Sequence, residues 1–200
     1  MAAKKKITQK TAGRPRSEDL EPLVLKTTYE MLAKKGYHGF SIDDIVLETG
    51  VAKTTIYRRW PSKAHLAMST VTHMISPYLE FPKEVPFEKA ILDQMDALSG
   101  VFSGKFGRVI STLIGAGQQD VELADSILEN YLLPRRNAAK QFFHHAIETK
   151  QIRFLSDSDI DVCMDILYGT LYFRLLLKHE KPKFQDLRPW LESFLHKLQK

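Results

Sequence analysis

Lys53, Thr54, Thr55, Tyr57 and Arg58 crowd hydroxyls, a phenol and cations into a stretch of about two helical turns. Short hydroxyl side chains can approach base edges, and long basic ones reach phosphates on either side. That is the chemistry of a helix entering the DNA major groove. As composition only, the same residues also describe a solvated face on an ordinary helical hairpin. Two other clusters suggest different chemistry. His144, His145 and Glu148 offer metal-like donors, but adjacent helical residues project about 100° apart and cannot face one ion, and zinc needs three or four convergent ligands. Cys163 is a lone thiol. With no phosphate loop, dinucleotide glycine pattern or nucleophile motif, the sequence predicts no catalysis, no metal and no cofactor.

The segment from Phe40 to Lys63 supplies the elements that would hold the five residues. Ser41 is a good N-cap, and Asp44 three residues on makes a variant of the capping box. Ile42, Ile45 and Val46 form the apolar stripe of a short helix that Gly50 ends. A second short helix starts near Lys53 and stops before Pro61, because the residue preceding a proline avoids the helical region. Its buried face is Val51, Ile56 and Trp60. A longer helix from about Ser17 or Glu18 to Lys35 precedes the pair, with Leu20, Leu23, Val24, Thr27, Met31 and Leu32 on its inner face. Tyr37 and Phe40 plug the same core, while His38 is a surface turn residue. A fourth helix runs from Ser62 to about Ser76.

The wording Gly-Val-x-x-x-x-Ile-Tyr-x-x-Trp-Pro-x-Lys at 50–63, with Lys-Gly-Tyr at 35–37, resembles the DNA-binding domain of the TetR family of bacterial regulators. The resemblance covers roughly residues 17–78, and Tyr57, Trp60 and Lys63 are its most specific points. It implies an all-α protein with an N-terminal three-helix helix-turn-helix domain and a C-terminal helical domain for ligand binding and dimerisation. It implies a homodimer on a palindromic double-stranded DNA operator, acting as a repressor that a small-molecule effector releases. Tyr57 and Lys63 would then reach phosphates, while Lys53, Thr54, Thr55 and Arg58 face bases or flanking phosphates. Ser41 is counted with this DNA-facing set. Arg59 stands where the family often has His, and could add a phosphate contact; Val46 stands where it often has Ala, and alters only core volume.

Composition agrees with a DNA partner. The chain is 44% apolar and 26% charged, as expected of a soluble globular protein. Residues 1–63 hold 13 Lys+Arg against 7 Asp+Glu, so the whole net charge of +5 lies in the first third. Residues 1–17 are expected to form a flexible basic arm. Arg14 and Arg16 flank a proline there, and such an extended segment suits a narrow minor groove; a solvated tail that only adds charge is the other reading. One cysteine excludes an internal disulfide, and neither a secretory signal nor a membrane-spanning stretch is found, which points to the cytoplasm.

Residues 18–78 are therefore expected to form the DNA-binding domain with its connecting helix, and 79–200 the effector-binding and dimerisation domain. Pro77 to Pro86 is a connector. Helices are expected over 87–104, 106–114, 120–131 and 134–150, and from Asp157 to Lys178. That last helix carries two apolar stripes, one with Ile160, Met164 and Leu167, the other with Val162, Ile166, Phe173, Leu176 and Leu177. A helix apolar nearly all round must be covered on nearly all sides, so it is expected to join the 134–150 helix in a four-helix dimer interface. Met95, Phe102, Phe106, Ile110, Tyr131, Phe143, Met164, Tyr168 and Tyr172 are the candidate lining of a pocket for a largely apolar ligand. Arg174 is expected in a dimer salt bridge or opposite an anionic ligand. The competing function is a DNA-bound helical scaffold that acts through a protein partner without a small effector.

Overall fold

The computed structural model describes residues 20–82, 84–177 and 183–199. The expected arm, with Arg14 and Arg16, lies outside them. Among the described residues there are ten α-helices and no strands. They are α1 (Leu20–Lys35), α2 (Ile42–Thr49), α3 (Lys53–Arg59), α4 (Lys63–Ile75), α5 (Phe87–Ser103), α6 (Lys105–Gly117), α7 (Val121–Ile127), α8 (Leu133–Glu148), α9 (Asp157–Leu177) and α10 (Phe184–His196).

In the N-terminal head, α1 packs across α2 and α4. Its buried face is Val24, Leu25, Thr28, Tyr29 and Leu32, which is rotated from the expected one. Leu23 is exposed, and Thr27 and Met31 are only partly covered. The cause is tertiary: α1 also leans on α6, so a second side is buried. Thr28 is accepted inside because its hydroxyl donates to the Val24 carbonyl at 2.8 Å, leaving no orphaned polar group. Tyr29 lies beneath the ammonium of Lys105, which also pairs with Glu30.

In the second domain, α5 runs through the middle, against α6, α9 and α10. The first turn of α5 is held by Gln151, whose Oε1 accepts from the Phe87 N–H at 2.7 Å. The helices α8 and α9 are joined by a ladder of polar side chains. Arg136, Lys140 and His144 on α8 meet Asp157, Asp161 and Asp165 on α9, and both series are spaced four residues apart. A capping box starts α9: Ser156 Oγ accepts from the Asp159 N–H at 3.2 Å while Asp159 accepts from the Ser156 N–H at 2.9 Å.

The two helices expected over 120–131 and 134–150 are one continuous path. Asp120 caps α7, and the chain then widens into a π-helical turn at Leu128–Leu132 before continuing as α8. Pro134 accounts for the change of winding. It has no N–H for the carbonyl four residues back, that of Asn130, and its ring crowds that carbonyl. The freed Asn130 oxygen accepts from the Thr72 hydroxyl of α4 at 2.9 Å. A proline that ends a helix in isolation here only offsets it, and the offset ties the second domain to the head.

Candidate functional site

The head builds its outward surface on a few buried anchors. Ser41 caps α2, its Oγ accepting from the Asp44 N–H at 3.2 Å while Asp44 accepts from the Ser41 N–H at 2.7 Å. The Ser41 hydroxyl also donates to the Asp44 carboxylate at 2.8 Å, and this bond with the one from the Ser41 N–H holds the Asp44 carboxyl below the usual range. Gly50 closes the helix at φ +68°, where a Cβ would be strained, and its N–H donates to the Val46 carbonyl at 2.8 Å. Thr49 completes the turn, since its hydroxyl donates to the Ile45 carbonyl and accepts from the Val51 N–H. Val51, Ile56 and Trp60 are buried, which fixes the rotation of α3. Lys53, Thr54, Tyr57 and Arg58 are consequently exposed, and Thr55 is half-buried.

The cations of this surface differ in how they are held. Lys53 Nζ is 2.7 Å from Asp43 of α2, an exposed pair that must yield before Lys53 meets a phosphate. Arg59 pairs with Glu21 and so ties α3 back to α1, a pair that must yield before Arg59 makes the phosphate contact expected of it. Arg58 has no acidic partner among the described residues. Lys63 is turned inward: its ammonium donates to the carbonyls of Tyr37 at 2.9 Å and Phe40 at 3.2 Å and lies 4.3 Å from the Tyr37 ring centroid. Burial draws its pKa below the usual lysine value. In this geometry Lys63 clamps the turn between α1 and α2 with two of its three protons, whatever the third contacts. Burial also pushes the Tyr37 phenol up, helped by Asp120 and Glu122 at the start of α7.

A cavity of about 330 Å³ opens in the second domain between α5, α8, α9 and the connector. Its apolar wall includes Leu79, Phe81, Leu132, Ala139 and Met164. Its polar members come in three groups, one of them the ion pair of Arg136 with Asp165. Arg135 Nη1 donates to the Tyr172 hydroxyl at 2.5 Å, which is 2.7 Å from the Tyr131 hydroxyl. Tyr168 donates to Gln94 Oε1 at 2.5 Å, and Gln94 in turn donates to the Leu79 carbonyl. Burial pushes the phenols of Tyr131 and Tyr168 well up, so both stay protonated.

Of the nine expected lining residues, Met164, Tyr168 and Tyr172 face this cavity, and Tyr131 supports it from behind. Met95, Phe102, Phe106, Ile110 and Phe143 are buried core instead, with Phe102 packed edge-on against Tyr172. Arg174 borders a separate shallow concavity between α9 and Leu187. Gln94, Arg135 and Arg136 were missed because they are polar. The signal for Arg135 is its register: it shares one face of α8 with the buried Ala139, Phe142 and Ala146. His144 takes Asp157 as partner, and among the described residues no three potential metal ligands converge.

Residues 24–69 match the model for bacterial regulatory proteins of the tetR family, and residues 86–198 match the tetracyclin repressor-like C-terminal domain. The chain is 32% identical over 169 residues to YdeS of Bacillus subtilis (strain 168), an uncharacterised HTH-type transcriptional regulator, covering 84% of each. It superposes on the TetR-family transcription regulator SCO0332 with a TM-score of 0.72 and 33% identity, over 88% of this chain and 96% of that one. The fold is shared with FadR of Bacillus subtilis, solved in complex with stearoyl-CoA, at a TM-score of 0.65 and 18% identity over 87% and 96% of the two chains. With a helix-turn-helix head, an all-helical second domain and family matches across both, the chain belongs to the TetR family of DNA-binding transcriptional regulators, which are not enzymes.

Proposed function

We propose that this protein is a cytoplasmic repressor that grips a palindromic operator as a homodimer and lets go when a small molecule fills the cavity. The carrying observation is the division of α3 into a buried face, Ile56 with the flanking Val51 and Trp60, and an exposed face of Lys53, Thr54, Tyr57 and Arg58. Thr54, Thr55 and Arg58 read bases or adjacent phosphates, Tyr57 and Lys53 take phosphates, and Ser41 sets the entry of α2. Lys63 adds a phosphate contact with the proton its two carbonyls leave over. Arg14 and Arg16 add charge from the arm. Dimerisation is supported by the outer stripe of α9, where Val162, Ile166, Phe173, Leu176 and Leu177 are all exposed.

The lever is the π-helical turn. Asn130 accepts from Thr72 of α4, and the next residue, Tyr131, belongs to the hydrogen-bonded group behind the cavity. A ligand that moves Tyr172 or Arg135 therefore acts on α4 one residue away. In linkage terms it must prefer the arrangement that cannot bind DNA, and DNA must weaken its binding equally. No helix among the described residues is long and apolar enough to cross a membrane.

The test is fluorescence anisotropy with DNA from the gene's own upstream region, at two salt concentrations and with excess nonspecific competitor. The expected result is competitor-resistant binding of two subunits per palindrome. Weak binding that competitor removes would overturn the operator reading.

A further inference from the structure

Among the described residues Arg135 is a cation without a counterion. Its Nε is buried with no acceptor, and among the described residues the only hydrogen bond of its guanidinium goes to the hydroxyl oxygen of Tyr172. The residue as a whole keeps some accessible surface because one side of it borders the cavity. No described carboxylate pairs with it. The neighbouring Arg136 shows the contrast: it meets Asp161 and Asp165 and is neutralised. A buried guanidinium normally has an ionised partner, because removing the charge from water is costly unless something replaces the lost hydration. Tyr131 cannot serve, since burial holds it protonated; its ring lies 4.8 Å from the guanidinium carbon instead.

We propose that the cavity binds an organic acid carrying a single anionic head group on an apolar body, with the head group paired to Arg135 and the body lying along Leu79, Phe81, Leu132, Ala139 and Met164. This rests on the effector reading above and names the ligand's chemical class. One uncompensated cation suits one negative charge. A polyanionic conjugate such as a coenzyme A thioester would require several more, and Arg136 is already occupied. A volume of about 330 Å³ stands at the lower end of small-molecule sites, which also favours the free acid.

The probes are linear alkanoates of about six to twelve carbons and aromatic carboxylates, each beside its matched alcohol and its coenzyme A thioester. Binding to the full chain is read by calorimetry and by melting temperature. At least one acid should bind about tenfold or more tighter than its alcohol, as a charge-assisted pair with a buried Arg allows. In Arg135→Met that preference should fall to within about twofold, while ligand-free Arg135→Met melts no lower than the parent because a buried unpaired charge is gone. Arg135→Lys keeps the charge and should retain part of the preference, which controls for misfolding. Equal binding of acids and alcohols, a preference that survives Arg135→Met, tighter thioesters than acids, or no binding by any acid would each overturn the proposal. Operator release is measured separately. An acid that binds through Arg135 and leaves operator affinity unchanged would remove the release mechanism while leaving the ligand class standing.

Discussion

Arg58 and Arg135 both lack an acidic partner among the described residues, yet the two regions that hold them treat that charge in opposite ways. Arg58 projects into water from the exposed face of α3, where solvation satisfies it. Arg135 has its Nε buried among phenols and apolar side chains behind a cavity. A solvated cation can exchange water for phosphate reversibly, so the binding it supports falls steeply with salt. A desolvated cation is screened little by salt, and its unmatched hydrogen bond favours a ligand of one shape and charge. On the readings proposed above, the head suits a repeated polyanion and the second domain a ligand with a single negative charge.

The division between a solvated reading face and a dry interior fails most severely at Ile56, the fully buried anchor of α3. Ile56→Ala should cost about 2–5 kcal/mol of stability and abolish operator binding with it, as chemical denaturation would record. Its neighbours should behave differently. Thr54→Ala and Tyr57→Ala each should weaken operator affinity by about 1–3 kcal/mol while stability moves by less than about 0.5 kcal/mol. A large loss of stability in either would mean that α3 is rotated from the orientation described.

A smaller effect is expected at the turn between α2 and α3. No atom crowds a Cβ at Gly50, so Gly50→Ala isolates the cost of φ +68°, about 1–2 kcal/mol by thermal melting. Deleting residues 1–16 should make the logarithmic salt dependence of operator binding shallower, by about 0.9 for each phosphate that the arm neutralises. An unchanged slope would assign the arm no phosphate at all.

The smallest effect is the pH response of the two capping boxes. Asp44 and Asp159 have carboxyls held low by hydrogen bonds from Ser41 and Ser156. A folded-state pKa below the unfolded value of about 3.9 stabilises the protein above that pH and loses the contribution as pH falls through the folded value. Asp44→Ala and Asp159→Ala should therefore lower the melting temperature at about pH 7 and make little difference near pH 2. A difference that persists in acid would indicate that the boxes act through something other than the carboxylate.

The head was legible in the sequence because its signals are local. A serine and an aspartate three residues apart, a glycine at the turn and a proline after Trp60 each restrict a few torsions without help from distant chain. Periodicity likewise predicted both stripes of α9, and the structure buries Ile160, Met164 and Leu167 while exposing Val162, Ile166 and Phe173. The rest was decided by partners far away in the chain. The buried face of α1 rotated because α6 covers its flank, Lys63 turned inward to carbonyls 23 and 26 residues before it, and Pro134 offset a helix instead of ending one because Thr72 could satisfy the freed carbonyl. The cavity followed the same logic: Phe102, Phe106 and Phe143 became core while Tyr168 and Tyr172 reached the wall, together with Arg135, a polar residue on an apolar stripe. Residue type and spacing fix short-range torsions and which side of a helix prefers water. Which charges lose their water, and what replaces it, is set by how the helices close around them.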